Sequence, residues 1–115
     1  RGVCHRYHSR LQLASWARAS VLRDGTDATL IATGMMVQCA YEAAEALASE
    51  GISLRVIDMH TIKPIDRELV LKAAKETGCI ITSEEANIIG GLGSAVAEVV
   101  SEGCPVPVVR HRRQR

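Results

Sequence analysis

Apolar positions fall in short blocks set apart by glycine, and the spacing inside each block assigns it. Ala28 to Thr33 is a compact apolar run that fits a buried strand, and Gly34 breaks it. Met35 to Glu50 has the helical period: Met36, Ala40, Ala44 and Leu47 share one face, and Gln38, Glu42, Glu45 and Ser49 the other. Gly51 closes that helix. Ser53 to Met59 is the next strand, followed by a loop from His60 to Pro64. Asp66 is placed to cap a second helix, Arg67 to Thr77, with Leu69, Val70, Ala73 and Ala74 turned inward and Gly78 at its end. Cys79 to Thr82 is again short, apolar and β-branched. Glu84 and Glu85 sit where that strand should stop, and Gly90, Gly91 and Gly93 open a third helix from Ser94 to Glu102. At the two ends, Ala19 to Leu22 is a short strand turned by Arg23-Asp24-Gly25. Pro105 to Val109 is a last strand that its prolines confine to a sheet edge.

Gly25, Gly51, Gly78 and Gly103 precede strands at intervals of about 26 residues, and all but the last strand lead into a helix. That is the spacing of consecutive βα units, and right-handed crossovers turn such units into a parallel sheet with helices on both faces. The 115 residues make one domain, large enough to bury about two thirds of its unfolded surface. With 47% apolar residues, 3% aromatic and no Phe, the core has to be aliphatic. No apolar run approaches the ~20 residues of a membrane span, and nothing has the form of a signal peptide.

The net charge of +1 conceals an asymmetry. Residues 1–23 hold five Arg and no acid, residues 110–115 hold four Arg, and between them five Lys and Arg face all thirteen acids, a net −8. Basic arms can serve nucleic acid, but the body has no basic face and few aromatic platforms, so frayed ends outside the fold are the preferred reading. Cys4, Cys39, Cys79 and Cys104 lie far apart without a C-x-x-C pair. They are expected as thiols in a reducing cytoplasm, with no zinc site and no disulfide framework.

A strand, an acidic turn and a glycine-rich helix entry form the upper rim of a site in parallel α/β sheets. The residues of that rim are Gly34, Glu84, Glu85, Asn87, Gly90, Gly91, Gly93 and Ser94. They make either an interface or an anion site. No dinucleotide fingerprint is complete: the turn after the first apolar strand has one glycine, and Gly91-Leu-Gly93-Ser-Ala-Val96 ends in Val where the third glycine belongs. A Gly-Lys-Ser/Thr phosphate loop is absent. Adjacent residues on a strand point opposite ways, so Glu84 and Glu85 do not form an acid/base pair without a turn between them. His60 lacks a second ligand at metal spacing, and Lys63 before Pro64 has no partner for catalysis. No catalytic, cofactor or metal residue can be assigned.

Three linked stretches carry a family resemblance: Gly25-Thr-Asp-Ala-Thr-Leu-Ile-Ala-Thr-Gly34, Asp58-Met-His-Thr-Ile-Lys-Pro-Ile-Asp66, and Thr82-Ser-Glu-Glu-Ala-Asn-Ile-Ile-Gly-Gly-Leu-Gly-Ser-Ala-Val-Ala-Glu98. In this order and spacing the chain resembles the C-terminal domain of transketolases over about Ala17 to Val109. The likeness is nearest to the split prokaryotic type, with 1-deoxy-D-xylulose-5-phosphate synthase as a relative. The resemblance implies a three-layer α/β/α fold with a five-stranded mixed sheet: four parallel strands, and Ala19–Leu22 antiparallel to them. It also implies that thiamine diphosphate and Mg²⁺ belong to the parent enzyme's pyrophosphate-binding and pyrimidine-binding domains, across a homodimer interface. This chain would bind neither and would not be active alone. Ala86 departs from the His that split transketolases often carry after the paired glutamates, and the tail Arg110 to Arg115 departs from the usual ending.

The expected organisation is therefore an unassigned flank over residues 1–16, a domain over 17–110 and a basic tail over 111–115. The expected function is that of a non-catalytic C-terminal domain that packs and dimerises a cytoplasmic transketolase-type enzyme, without contact to nucleic acid or membrane. The alternative is a regulatory module that binds an anion or nucleotide on the glycine-rich loop.

Overall fold

The computed structural model describes residues 18–62, 64–85 and 91–113, with Glu85, Arg112 and Arg113 described by their backbone alone. The elements in chain order are β1 (Ser20–Arg23), β2 (Ala28–Ala32), α1 (Met36–Ala48), β3 (Leu54–Asp58), α2 (Arg67–Thr77), β4 (Ile80–Glu85), α3 (Leu92–Gly103) and β5 (Val108–Arg113). The five strands form one sheet in the order β1-β3-β2-β4-β5. β1 runs antiparallel to β3, and the other pairs are parallel. This is the mixed sheet that the resemblance implies.

Each face of the sheet carries its own aliphatic core. On one side Ile31, Ile57 and Ile80 meet α2 and α3 through Leu69, Val70, Leu71, Leu92, Val96 and Val100. On the other, Leu30, Ala32, Leu54 and Val56 meet α1 through Met36, Ala40 and Ala44. Ile31, Ile57, Leu71 and Ile80 are wholly buried, and each such side chain contributes about 1.5–3 kcal/mol of transfer free energy. The inward positions read from the helical period are buried in α2, and in α1 Met36, Ala40 and Ala44 are buried while Leu47 is partly buried against the same core. Leu71 was outside that set. It is covered because α3 packs beside α2, and Gly103 leaves room for its side chain where a Cβ would lie 2.5 Å from Leu71 Cδ2.

α2 occupies the range that its end signals predict. Asp66 accepts a hydrogen bond from Leu69 N–H at 3.3 Å, and Gly78 ends the helix with φ 76°. Asp66 is fully buried because its second oxygen accepts Ala19 N–H at 2.8 Å, which ties the entrance of β1 to the start of α2. Gly25 is required by closeness: a Cβ there would collide with the backbone of Leu54 and Arg55, where β3 passes beneath the turn.

Three expectations are corrected. β4 does not stop before the paired glutamates; it includes both, because β5 runs alongside as far as Glu85 opposite Arg113. β5 begins at Val108 rather than Pro105, since Pro105 and Pro107 have no N–H for the ladder, and it extends through Arg113. Residues 110–113 are thus an edge strand and not a frayed end. Finally, Cys104 is disulfide-bonded, while Cys39 and Cys79 carry thiols. Sequence spacing missed the bond because a disulfide requires Cα atoms within about 7 Å in space, whatever their separation along the chain. The unassigned flank over residues 1–16 lies outside the described residues.

Candidate functional site

The rim is built where the chain changes direction across the sheet. After β2, α1 carries the chain to β3 on one side; α2 then carries it back to β4 on the other side. The carboxyl ends of β2 and β4 are neighbours, with Ala32 opposite Ser83, and the connections leaving them diverge. Open α/β sheets place their sites at this point. Gly34 follows β2 with φ 53° and is exposed, as is Met35 after it, at 75% of its full surface. Gly91, Gly93 and Ser94 stand at the start of α3 beyond β4. Asn87 and Gly90 lie outside the described residues.

Alternation along β4 sends Ile80, Thr82 and Glu84 toward α3, and Ile81 and Ser83 toward α1. Glu84 is therefore 6% exposed rather than presented at the rim. Its Oε1 accepts Leu92 N–H and its Oε2 accepts Gly93 N–H, both at 3.2 Å. These are two of the amides that a helix start leaves without partners, and the carboxylate also sits at the positive end of the helix dipole. α3 has no side-chain cap of the ordinary kind, because its N-cap is Gly91 with φ 68°. A carboxylate eight and nine residues earlier in sequence does that work. Gly93 has a different reason: a Cβ there would lie 2.8 Å from Arg110 Cδ, so the glycine admits the Arg110 stem across the first turn of α3.

The start of α1 is formed differently. Met36 N–H and Val37 N–H donate to the Thr33 and Gly34 carbonyls at 3.1 and 3.2 Å, and no side chain caps the helix. At the end of β3, His60 Nε2 lies 3.4 Å from Ser20 Oγ and 3.6 Å from Asp58 Oδ2. Both approach the same ring nitrogen, so the group cannot relay a proton from serine to carboxylate as a catalytic triad does. Lys63 lies outside the described residues. No cluster of three or more His, Cys, Asp or Glu that could hold a metal occurs among the described residues. None of their helices is long and apolar enough to cross a membrane.

The sequence reading missed a buried arginine paired with two exposed carboxylates at the opposite end of the sheet. Arg55, 7% exposed, places Nε 3.0 Å from Asp24 Oδ1 and Nη1 2.8 Å from Glu76 Oε1. It borders a cavity of about 350 Å³ between β1 and α2. The three partners are 21 or more residues apart, so no local pattern signals them.

Residues 17–112 match the family described as Transketolase, C-terminal domain. The chain is 54% identical over 93 residues to the 6-deoxy-6-sulfo-D-fructose transketolase subunit SqwH of Clostridium sp. (strain MSTE9), covering 81% of this chain and 29% of that protein. It is 47% identical over 94 residues to the 1-deoxy-D-xylulose-5-phosphate synthase of Thermomicrobium roseum, covering 81% of this chain and 15% of that enzyme. Among solved structures, an inactive β4 tetramer of a split-gene transketolase aligns with a TM-score of 0.82 at 48% identity, over 94% of this chain and 36% of its own. The chain thus spans less than a third of the length of these curated relatives.

Proposed function

Because the chain belongs to the transketolase C-terminal domain family, we propose that it serves as the non-catalytic C-terminal domain of a thiamine-diphosphate-dependent enzyme of that kind. The parent transfers ketol units between sugar phosphates, or carries out the related deoxyxylulose phosphate synthesis. The domain's part is to pack its rim against the pyrimidine-binding domain and to contribute to a homodimer. A cytoplasmic parent belongs to the same proposal; it rests on the metabolic chemistry of the relatives and not on the cysteines, since Cys104 is disulfide-bonded.

The observation that carries this reading is the position of Glu84. The two α3 amides that would otherwise greet an anion already bond to its carboxylate. A diphosphate brought to the same turn would meet that negative charge, so the start of α3 does not suit thiamine diphosphate. The same contact weighs against the regulatory anion module. What the rim offers outward is an exposed methionine beside a glycine, Met35 and Gly34, and these suit close packing against another protein surface.

Two measurements test the proposal. Calorimetric titration of this chain with thiamine diphosphate and Mg²⁺ is expected to give no heat of binding, and micromolar affinity would overturn the non-catalytic assignment. In the full-length enzyme, Met35→Glu is expected to shift sedimentation toward smaller species with parallel loss of activity. A fully assembled and active variant, folded by circular dichroism, would remove the rim from the interface.

A further inference from the structure

The cavity between β1 and α2, at the end of the sheet away from the rim, joins a buried cation to an apolar wall. β1 pairs Val21 with Ile57 and Arg23 with Val56, so Leu22 is an extra residue in the ladder. A bulge of this kind re-aims the side chains of an edge strand. Val21, Leu22 and Arg23 accordingly border one cavity, although consecutive strand residues ordinarily point to opposite faces. Val21 is 47% exposed and Leu22 43%, and with Leu69 they make the apolar side. Arg23, Asp24, Arg55, Lys72 and Glu76 make the polar side. At about 350 Å³ the volume is that of a small-molecule site.

The charges on this cavity do not cancel. Both carboxylates are engaged by one residue: Arg55 Nε donates to Asp24 Oδ1 at 3.0 Å, and Nη1 lies 2.8 Å from Glu76 Oε1. Asp24 Oδ1 also accepts Gly25 N–H at 2.9 Å, which fixes that carboxylate in place. A guanidinium has more N–H groups than these contacts use, and Nη2 meets no acceptor among the described residues. Arg23 and Lys72 have no ion-pair partner among the described residues. Arg23, Arg55 and Lys72 thus face only Asp24 and Glu76, which leaves an excess of one positive charge beside an aliphatic wall.

We propose that this cavity binds a small organic monoanion, a carboxylate on a short apolar body. The carboxylate accepts from Arg55 Nη2 and takes the charge of Arg23 and Lys72, and the body covers Val21 and Leu22. One negative charge completes the balance. Inorganic phosphate carries more charge and no apolar body, so it matches neither side. Asp24 and Glu76 already hold the Arg55 fork, so little side-chain freedom is lost when the ligand arrives. The site is independent of the rim and of the chemistry of the parent enzyme.

The test is photoaffinity labelling of the full-length enzyme with p-azidobenzoate, with the labelled residues located by mass spectrometry. Label is expected on the peptides that contain Val21 to Arg23 or Leu69 to Lys72, and it is expected to saturate. Benzoate should suppress it. Benzamide has the same shape without the charge, and inorganic phosphate has charge without the body; each should need a concentration at least about tenfold higher for the same suppression. No saturable label, label confined to other residues, or suppression by benzamide or phosphate as effective as by benzoate overturns the proposal. The double variant Arg23→Gln, Lys72→Gln changes two side chains without an ion pair among the described residues, so the fold should survive. With its circular dichroism unchanged, it should need at least about tenfold more probe for half-maximal labelling, and an unchanged requirement overturns the proposal. Neither readout involves thiamine diphosphate, assembly or activity, so failure here is distinct from failure of the proposed function.

Discussion

Glu84→Ala is expected to destabilise this domain strongly, although the side chain is acidic and belongs to a strand near the sheet's rim. The variant deletes the only protein acceptor shown for Leu92 N–H and Gly93 N–H, at the start of a helix that provides much of one core. Loss of an ordinary N-cap costs about 0.5–2 kcal/mol. Two hydrogen bonds to a charged, 94% buried group (6% exposed) are worth more, at about 1.5–3 kcal/mol each before water compensates the freed amides. A loss of about 2–5 kcal/mol follows, a large share of the ~5–15 kcal/mol that holds a domain together. Glu84→Gln keeps the shape and one acceptor oxygen but loses the charge at the helix start, so it should cost about 1–2 kcal/mol. Urea unfolding of the 115-residue chain, followed by circular dichroism, measures both. With slopes of about 1–3 kcal/mol/M, the alanine variant should unfold at a midpoint lower by about 1 M or more. Ser94→Ala, exposed on the same turn, serves as the control and should stay within about 0.5 kcal/mol of the parent. If Glu84→Ala unfolds with Ser94→Ala and the parent, the carboxylate is not the cap of α3.

Asp66→Ala should lower stability by about 2–4 kcal/mol by the same denaturation assay, because one buried side chain serves both Ala19 N–H and Leu69 N–H. Gly25→Ala should cost more than about 2 kcal/mol, since the added carbon would displace the β3 backbone; a neutral substitution would show that the turn can move aside. Thr82→Val should stabilise by about 1 kcal/mol, read as a raised thermal midpoint. The Thr82 hydroxyl is fully buried with no hydrogen-bond partner among the described residues, and valine has the same shape.

The parts of this protein legible in its sequence are those in which a segment's own residues decide the outcome. α2 is the clearest case. Asp66 and Gly78 mark its ends, and the spacing of Leu69, Val70, Ala73 and Ala74 marks its buried face, all within thirteen residues. The inward face of α1 and the apolar centres of β2 and β3 follow in the same way, because period and propensity act between near neighbours. The direction of β1 came from family resemblance and not from any pattern in Ala19 to Leu22.

The tertiary structure decided what depends on distant partners. Glu84 reads as a rim acid until α3 is folded over it. Then its carboxylate becomes an internal cap, and the glycine-rich turn loses its appeal to an outside anion. β4 lengthens because β5 is present to pair with it, and β5 starts late because two prolines cannot join the ladder. Arg55 is held by carboxylates from a turn and a helix that meet only across the packed sheet. Cys104 finds its sulfur partner in space. Periodicity measures how a segment divides between core and water; it carries no information on which backbone amide or charge a buried polar group will meet.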